Sequence, residues 1–230
     1  MRPRVFFAVA ALASAACGRG PGYSGVACPH DLTRERLPPV EVVVSSVTAV
    51  VRRDLDLTRL ARLPGTEALG PGGEIQGLTL AEHRLAYKTA IAVEPHLFGG
   101  PECAWIDHLT VNMTPTSITI YVPKDYPEDS CESEQVLAHE RQHEEIHRDT
   151  LDEYAGEMRR ALARADWLPA RGTPLAVADR AEAERRIEEM VDKAAKPVYA
   201  RFKETLAERQ AVIDVPENYR WVSRRCANWK

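Results

Sequence analysis

Residues 139–147 read HERQHEEIH and contain His-Glu-x-x-His twice, as His139-Glu140-Arg141-Gln142-His143 and as His143-Glu144-Glu145-Ile146-His147. On an α-helix, residues four apart point the same way, so either pair of imidazoles can share one cation. The glutamate beside the first histidine of each pair lies on the same side and can take a proton from a metal-bound water. Zinc lowers the pKa of such a water toward about 7, which makes hydroxide available near neutral pH. A catalytic zinc also needs at least one further protein ligand and an open position.

One straight helix cannot bring all three histidines to one ion. His139 and His147 are about 12 Å apart along the axis, against a zinc–nitrogen bond of about 2.1 Å. The two registers therefore compete, and three features favour the first. Apolar Val136-Leu137-Ala138 precedes His139 and would close the inner end of the site, whereas Arg141-Gln142 precedes His143. Glu140 lies nearer the middle of the apolar stripe than Glu144. Arg148 and Asp149 flank His147 with charge. His139 and His143 are thus the expected metal ligands and Glu140 the expected catalytic base. His147 is then a support for the site, a substrate contact or the alternative ligand.

The third ligand has no motif, because Ile146 and Asp149 stand where His-Glu-x-x-His-x-x-Gly-x-x-His would need glycine and histidine. A carboxylate from a later helix, Glu182, Glu184, Glu188 or Glu189, is the expected partner. Glu153 and Glu157 would serve only if the first helix broke near Gly156. His30, His83, His96 and His108 stand singly and read as ordinary surface or internally satisfied histidines.

The elements that must position these groups follow from periodicity. From about Cys131 to Trp167 runs one helical pattern, for which Asp129 or Ser130 can serve as N-cap. At about 100° per residue, Val136, His139, Glu140, His143, His147, Leu151, Tyr154, Met158 and Ala161 share one face. A second helical stretch is expected from about Leu175 to Ile213, kinked at Pro197. Val40 to Val51 is β-branched and strand-like. CAWIDHLTVNM and SITIYVP alternate as two strands joined by a turn at residues 114–116, and LTLAEHRLAYKTAIAVE fits either a helix or a strand pair.

The first residues, MRPRVFFAVAALASAACGRG, pass from two arginines through an apolar run to small residues, the pattern of an export signal over residues 1–16. A cut before Cys17 would leave that cysteine to carry a lipid, whereas a cut after Ala15 or Ala16 would leave the chain free. The expected product is periplasmic, a membrane-anchored lipoprotein, or extracellular. Residues 17–39 read as a flexible tether and 40–230 as one domain. Loss of Arg2 and Arg4 takes the formal charge from −4 to −6, a poor balance for nucleic-acid binding. Cys28, Cys103, Cys131 and Cys226 suit two disulfides, with three pairings open.

The strand ending in ITIYVP, the cysteine at the helix start and VLAHERQH together resemble the zincin-like metallopeptidases, in particular bacterial predicted secreted zinc-dependent proteases of unknown function. The resemblance covers roughly residues 100–165. It implies an α+β zincin-like fold, a small mixed or antiparallel sheet on the long active-site helix with a second long C-terminal helix. It also implies Zn2+ on His139 and His143, Glu140 as general base, a peptide or protein substrate, and an edge strand over Ser117 to Val122 that aligns it. Arg141 and Gln142 depart from the family, whose two central positions are usually uncharged and often apolar. Two rival readings remain: a non-catalytic envelope protein whose structural or vestigial metal site accompanies partner binding, and a helical scaffold whose histidines decorate an ion-paired surface.

Overall fold

The computed structural model describes residues 28–31, 33–64, 75–95, 100–227 and 229. The expected export signal, Cys17 and His96 lie outside the described residues. In chain order the elements are β1 (Val40–Val44), β2 (Val50–Arg52), α1 (Leu57–Leu60), β3 (Leu78–Glu94), β4 (Glu102–Tyr121), α2 (Cys131–Ala163), β5 (Leu175–Val177), α3 (Arg180–Ile213) and α4 (Pro216–Ser223). This is a mixed architecture with one five-stranded open sheet, consistent with α+β.

The sheet is organised by β4. Along one side it pairs antiparallel with β3 over nearly its whole length. Along the other it meets β5 antiparallel, then β1 and β2 in parallel. The two strands expected from CAWIDHLTVNM and SITIYVP are therefore one. Pro115 has no N–H for a ladder bond, and the chain absorbs it by a bulge instead of a turn. His83 pairs with Pro115 and Glu82 with Ser117, which leaves Thr116 as the extra residue; its hydroxyl lies 3.3 Å from the Glu82 carbonyl oxygen. Residues 78–94 form a single strand because apolar residues recur at spacing two. Leu85, Tyr87, Ile91 and Val93 pack on the core, while Glu82, Arg84 and Lys88 face solvent.

Ser130 caps α2 by accepting the Ser133 N–H, and the helix runs unbroken past Gly156. Its buried face carries Val136, His139, Glu140, His143, His147, Leu151, Tyr154 and Met158, as its periodicity requires. Leu162 completes the stripe in place of Ala161, which is only half-buried. α3 begins at Arg180, not Leu175, because Leu175–Val177 is taken up by β4 and Asp179 caps the helix from outside. It continues through Pro197 and buries a narrow stripe of Ala183, Ile187, Val191, Ala195, Val198, Phe202 and Leu206.

α3 returns antiparallel along α2, as cross-links between them show. Glu157 meets Arg201, Tyr154 meets Thr205, and Glu153 meets Arg209. The C-terminal end of α3 therefore arrives beside the N-terminal half of α2. The main core lies between these helices and the sheet residues Ile106, Leu109, Val111 and Met113.

The disulfides are Cys28–Cys103 and Cys131–Cys226, with Cα separations of 5.7 and 5.8 Å. The first fastens the irregular segment before β1 to the sheet. That segment also bonds through its backbone to Gly172, whose absent Cβ would stand 2.8 Å from the Asp31 and Glu35 carbonyl oxygens. Two disulfides are compatible with an oxidising, extracytoplasmic setting. Among the described residues no helix is long and apolar enough to cross a membrane.

Candidate metal centre

His139 and His143 are one helical turn apart on the buried face of α2, 3% and 6% exposed. Their rings stand edge to face, with Nε2 of one 3.2 Å from Nε2 of the other. The third member comes from the residue that caps α3. Asp214 Oδ1 lies 3.5 Å from His139 Nε2 and 3.1 Å from His143 Nε2. Among the described residues this is the one group of three or more such side chains whose ligand atoms converge closely enough for a metal ion.

The spacing fits a cation at its centre. Tetrahedral ligand bonds of about 2.0–2.1 Å put neighbouring ligand atoms about 3.3–3.4 Å apart, and the three observed edges, 3.1 to 3.5 Å, bracket that value. Gln210, one turn before Asp214, grips His143 at both ends. Its amide oxygen accepts from His143 Nδ1, and its amide nitrogen donates to the His143 carbonyl at 3.2 Å. With the ring proton held on Nδ1, Nε2 presents its lone pair to the cluster, the tautomer a metal requires. Among the described residues the buried His139 Nδ1 atom has no hydrogen-bond partner.

The electrostatics agree with the geometry. Burial alone would lower the His143 pKa, but the hydrogen bond and charge of Asp214 and the charge of Glu140 outweigh it, and the net shift is upward. Burial would raise the Asp214 carboxyl, yet hydrogen bonds from His139 and His143 carry it far below the usual range. A proton on the His143 imidazole can thus hold it to Asp214 without a cation, and a metal would compete with that proton. Tyr219 on α4 donates to Asp214 Oδ1 at 2.7 Å, and its ring lies 5.4 Å from that of His139.

Glu140, 2% exposed, lies beside the cluster. Burial pushes its carboxyl pKa up, while the charges of His143 and His139 and the Thr79 hydrogen bond pull it down, for a net rise. The Thr79 hydroxyl is 2.8 Å from Glu140 Oε2 and 3.1 Å from its carbonyl oxygen, so its one proton serves either acceptor. The chain entering β3 approaches so closely that a Cβ on Gly77 would stand 2.5 Å from Glu140 Oε1 and 2.6 Å from Val136 Cγ1.

Glu140, His143, Asp214, Gln210 and Tyr219 line a cleft of about 680 Å³ between the start of β3, α2 and the last turns of α3, with His139 buried behind them. Its walls are mainly apolar, with Leu78, Leu80, Leu206 and Ala211 among them.

His147 stays out of the metal group. It stacks on His83 with ring centroids 5.1 Å apart, in the wall between this cleft and a second cavity of about 250 Å³. Burial, then the charges of His83 and His143, hold its imidazole down at about 3. His83, expected to be ordinary, is thus part of the site's wall. Strand alternation could have revealed it, since residue 83 shares the inward parity of Leu85 and Tyr87.

The expected third ligands are elsewhere. Glu182, Glu184 and Glu189 pair with Arg186, Arg180 and Arg185 within the first turns of α3, and Glu188 lies among them. Asp214 is 25 residues beyond Glu189, about 38 Å along a helix. Glu153 and Glu157 are engaged by Arg209 and Arg201. Exposed His108 lies 3.8 Å from Glu41, and His30 is exposed.

No protein-family model, curated protein or solved structure matches this chain.

Proposed function

We propose that the chain is an exported, zinc-dependent, zincin-like hydrolase of peptide bonds. The observation that carries this reading is the convergence of His139, His143 and Asp214 beside buried Glu140, the last three of which line an open cleft. Two imidazoles and one carboxylate suit zinc and leave a position for water, the arrangement of catalytic rather than closed structural sites. Zinc bound there would polarise a carbonyl and make hydroxide available near neutral pH.

The chain's own residues then have distinct roles. Glu140 accepts the proton of the attacking water and returns it to the leaving amine. Its raised pKa brings it nearer the working pH, where one group can both take and give a proton. Thr79 and the close approach at Gly77 fix its carboxylate. Gln210 orients His143, and Tyr219 holds Asp214.

The substrate is an extended peptide. The expected aligning strand, Ser117 to Val122, cannot serve, because all but its last residue lies within β4, whose residues 119–121 pair with β3 on one side and β2 on the other. β1, β2, β3 and β5 each pair only with β4 among the described residues, and of these edge strands β3 is the one whose first residues line the cleft. Main-chain bonds to that edge would lay a peptide beside the metal centre.

The test is hydrolysis of an unstructured protein substrate by the mature, zinc-loaded chain and by Glu140→Gln. Cleavage lost with Glu140→Gln while zinc stays bound is the expected result. Zinc binding without cleavage in the wild type would favour the partner-binding envelope protein instead.

A further inference from the structure

We propose that the Cys131–Cys226 disulfide is a redox latch on the metal centre: closed, it holds Asp214 against His139 and His143, and its reduction releases the metal. The inference rests on the reading that this cluster binds zinc.

Asp214 caps α3 outside its regular helix, tied back by its own N–H to the Gln210 carbonyl at 3.3 Å. Besides His139 and His143, which meet its carboxylate at 3.5 and 3.1 Å, its other restraints come from the segment that follows. Tyr219 donates to Asp214 Oδ1, and Asn218 donates to the Ile213 carbonyl at 2.8 Å. That segment is weakly anchored. α4 has eight residues, of which only Val222 is buried, and Trp221 is 53% exposed. A helix so short does not persist on its own in water. The segment is fastened by the Tyr219–His139 ring contact, a 3.1 Å bond from Gln76 to Ser223, buried Val222 and, at its far end, the Trp229 ring on Tyr126, and the Cys131–Cys226 disulfide is its covalent tie to α2.

Cys226 follows α4 by three residues and joins Cys131, the first residue of α2. From there α2 leads to His139 in about 12 Å. The disulfide therefore closes a bracket, with two metal ligands on one arm and the third on the other. Cys131 lies at the exposed start of its helix, open to an attacking thiol. The other disulfide meets β4 where it pairs with β5, just before the opposite end of α3. It provides a control of similar chemistry with no connection to Asp214.

The reductant is a dithiol. One thiolate attacks a sulfur of the pair and the other protein sulfur leaves as a thiolate. The dithiol's second thiol then displaces the mixed disulfide. Two electrons and two protons pass to the protein, giving thiols at Cys131 and Cys226 and a disulfide in the reductant.

The experiment measures zinc affinity by competition with a chromophoric chelator. It compares the mature chain, Cys131→Ser/Cys226→Ser and Cys28→Ser/Cys103→Ser, and repeats the first two with Asp214→Ala. Serine removes the complication that freed thiols themselves bind zinc. Opening the latch should weaken zinc about 10- to 100-fold, the range for supports of a ligand. In the Asp214→Ala background the same change should matter by less than about threefold, because the latch acts through Asp214. The control pair should leave affinity near that of the wild type. Unchanged affinity without the latch, or an equal loss in both backgrounds, overturns the latch alone. No zinc in the oxidised wild type overturns the metal centre and the latch with it. If the serine pair fails to fold by circular dichroism, the wild type is reduced with tris(2-carboxyethyl)phosphine, which takes up water oxygen as its oxide. Zinc should then pass to the chelator as thiols appear, and zinc retained after four new thiols have formed, two for each disulfide, overturns the latch.

Discussion

Gly77→Ala adds one methyl group where β3 meets α2, and the structure says what it must displace. The new Cβ would stand 2.5 Å from Glu140 Oε1, 2.6 Å from Val136 Cγ1 and 2.9 Å from Glu140 Cγ. Carbon atoms rest about 3.5–4.0 Å apart, so a relief of about 1 Å is needed. Val136 cannot supply it by rotating, since a β-branched side chain on a helix has one strongly preferred rotamer and this one is 1% exposed. Either the strand backs away or the Glu140 side chain leaves its place against Thr79. Overpacking of this kind costs about 1–3 kcal/mol, which for a chain of this length lowers the melting temperature by roughly 2–4 °C per kcal/mol. We expect a fall of about 2–12 °C by calorimetry in the metal-free protein, and a fall in turnover larger than the fall in zinc affinity. A melting temperature within about 1 °C of wild type, together with unchanged turnover, would refute the claim that this approach fixes Glu140.

Other perturbations separate the remaining roles. Asp214→Ala removes the carboxylate of the proposed metal centre and should weaken zinc by more than the roughly 100-fold upper range for losing a ligand's support, as measured by chelator competition. Gln210→Leu frees the His143 tautomer and should weaken zinc about 10- to 100-fold with the helix content unchanged by circular dichroism. In the metal-free protein His147 is neutral down to about pH 3, whereas in the unfolded chain it protonates near 6.5. The unfolded state therefore binds more protons between these values, and the folded state loses stability as pH falls. The contribution is about 2 kcal/mol at pH 5, and His147→Leu should flatten the pH dependence of urea unfolding by that amount.

The helix bearing the two histidines was legible because its buried face keeps a strict period, and polar His139, Glu140 and His143 stand in it where apolar residues would otherwise be. β3 was legible in principle from the alternation of Leu85 and Tyr87 with Arg84 and Lys88, but its many alanines blur that against a helix. β4 was divided in two because a Thr-Pro-Thr sequence is a strong turn signal locally, and only pairing on both sides shows that a bulge absorbs it. Asp214 carries no motif. It was reachable by topology alone, since two helices of nearly equal length in an antiparallel hairpin bring the end of the second beside the start of the first. Glu182, Glu184, Glu188 and Glu189 stand at the wrong end of that hairpin, because the direction of packing is a tertiary fact. The disulfide pairing was likewise set by which ends meet.

The most direct test is zinc per molecule, by elemental mass spectrometry, in the mature wild type and in His139→Ala, Asp214→Ala and His147→Leu prepared in parallel with zinc present. The account predicts near-stoichiometric zinc in the wild type and in His147→Leu, and its loss from the other two. Zinc retained without Asp214, or lost with His147, would contradict it.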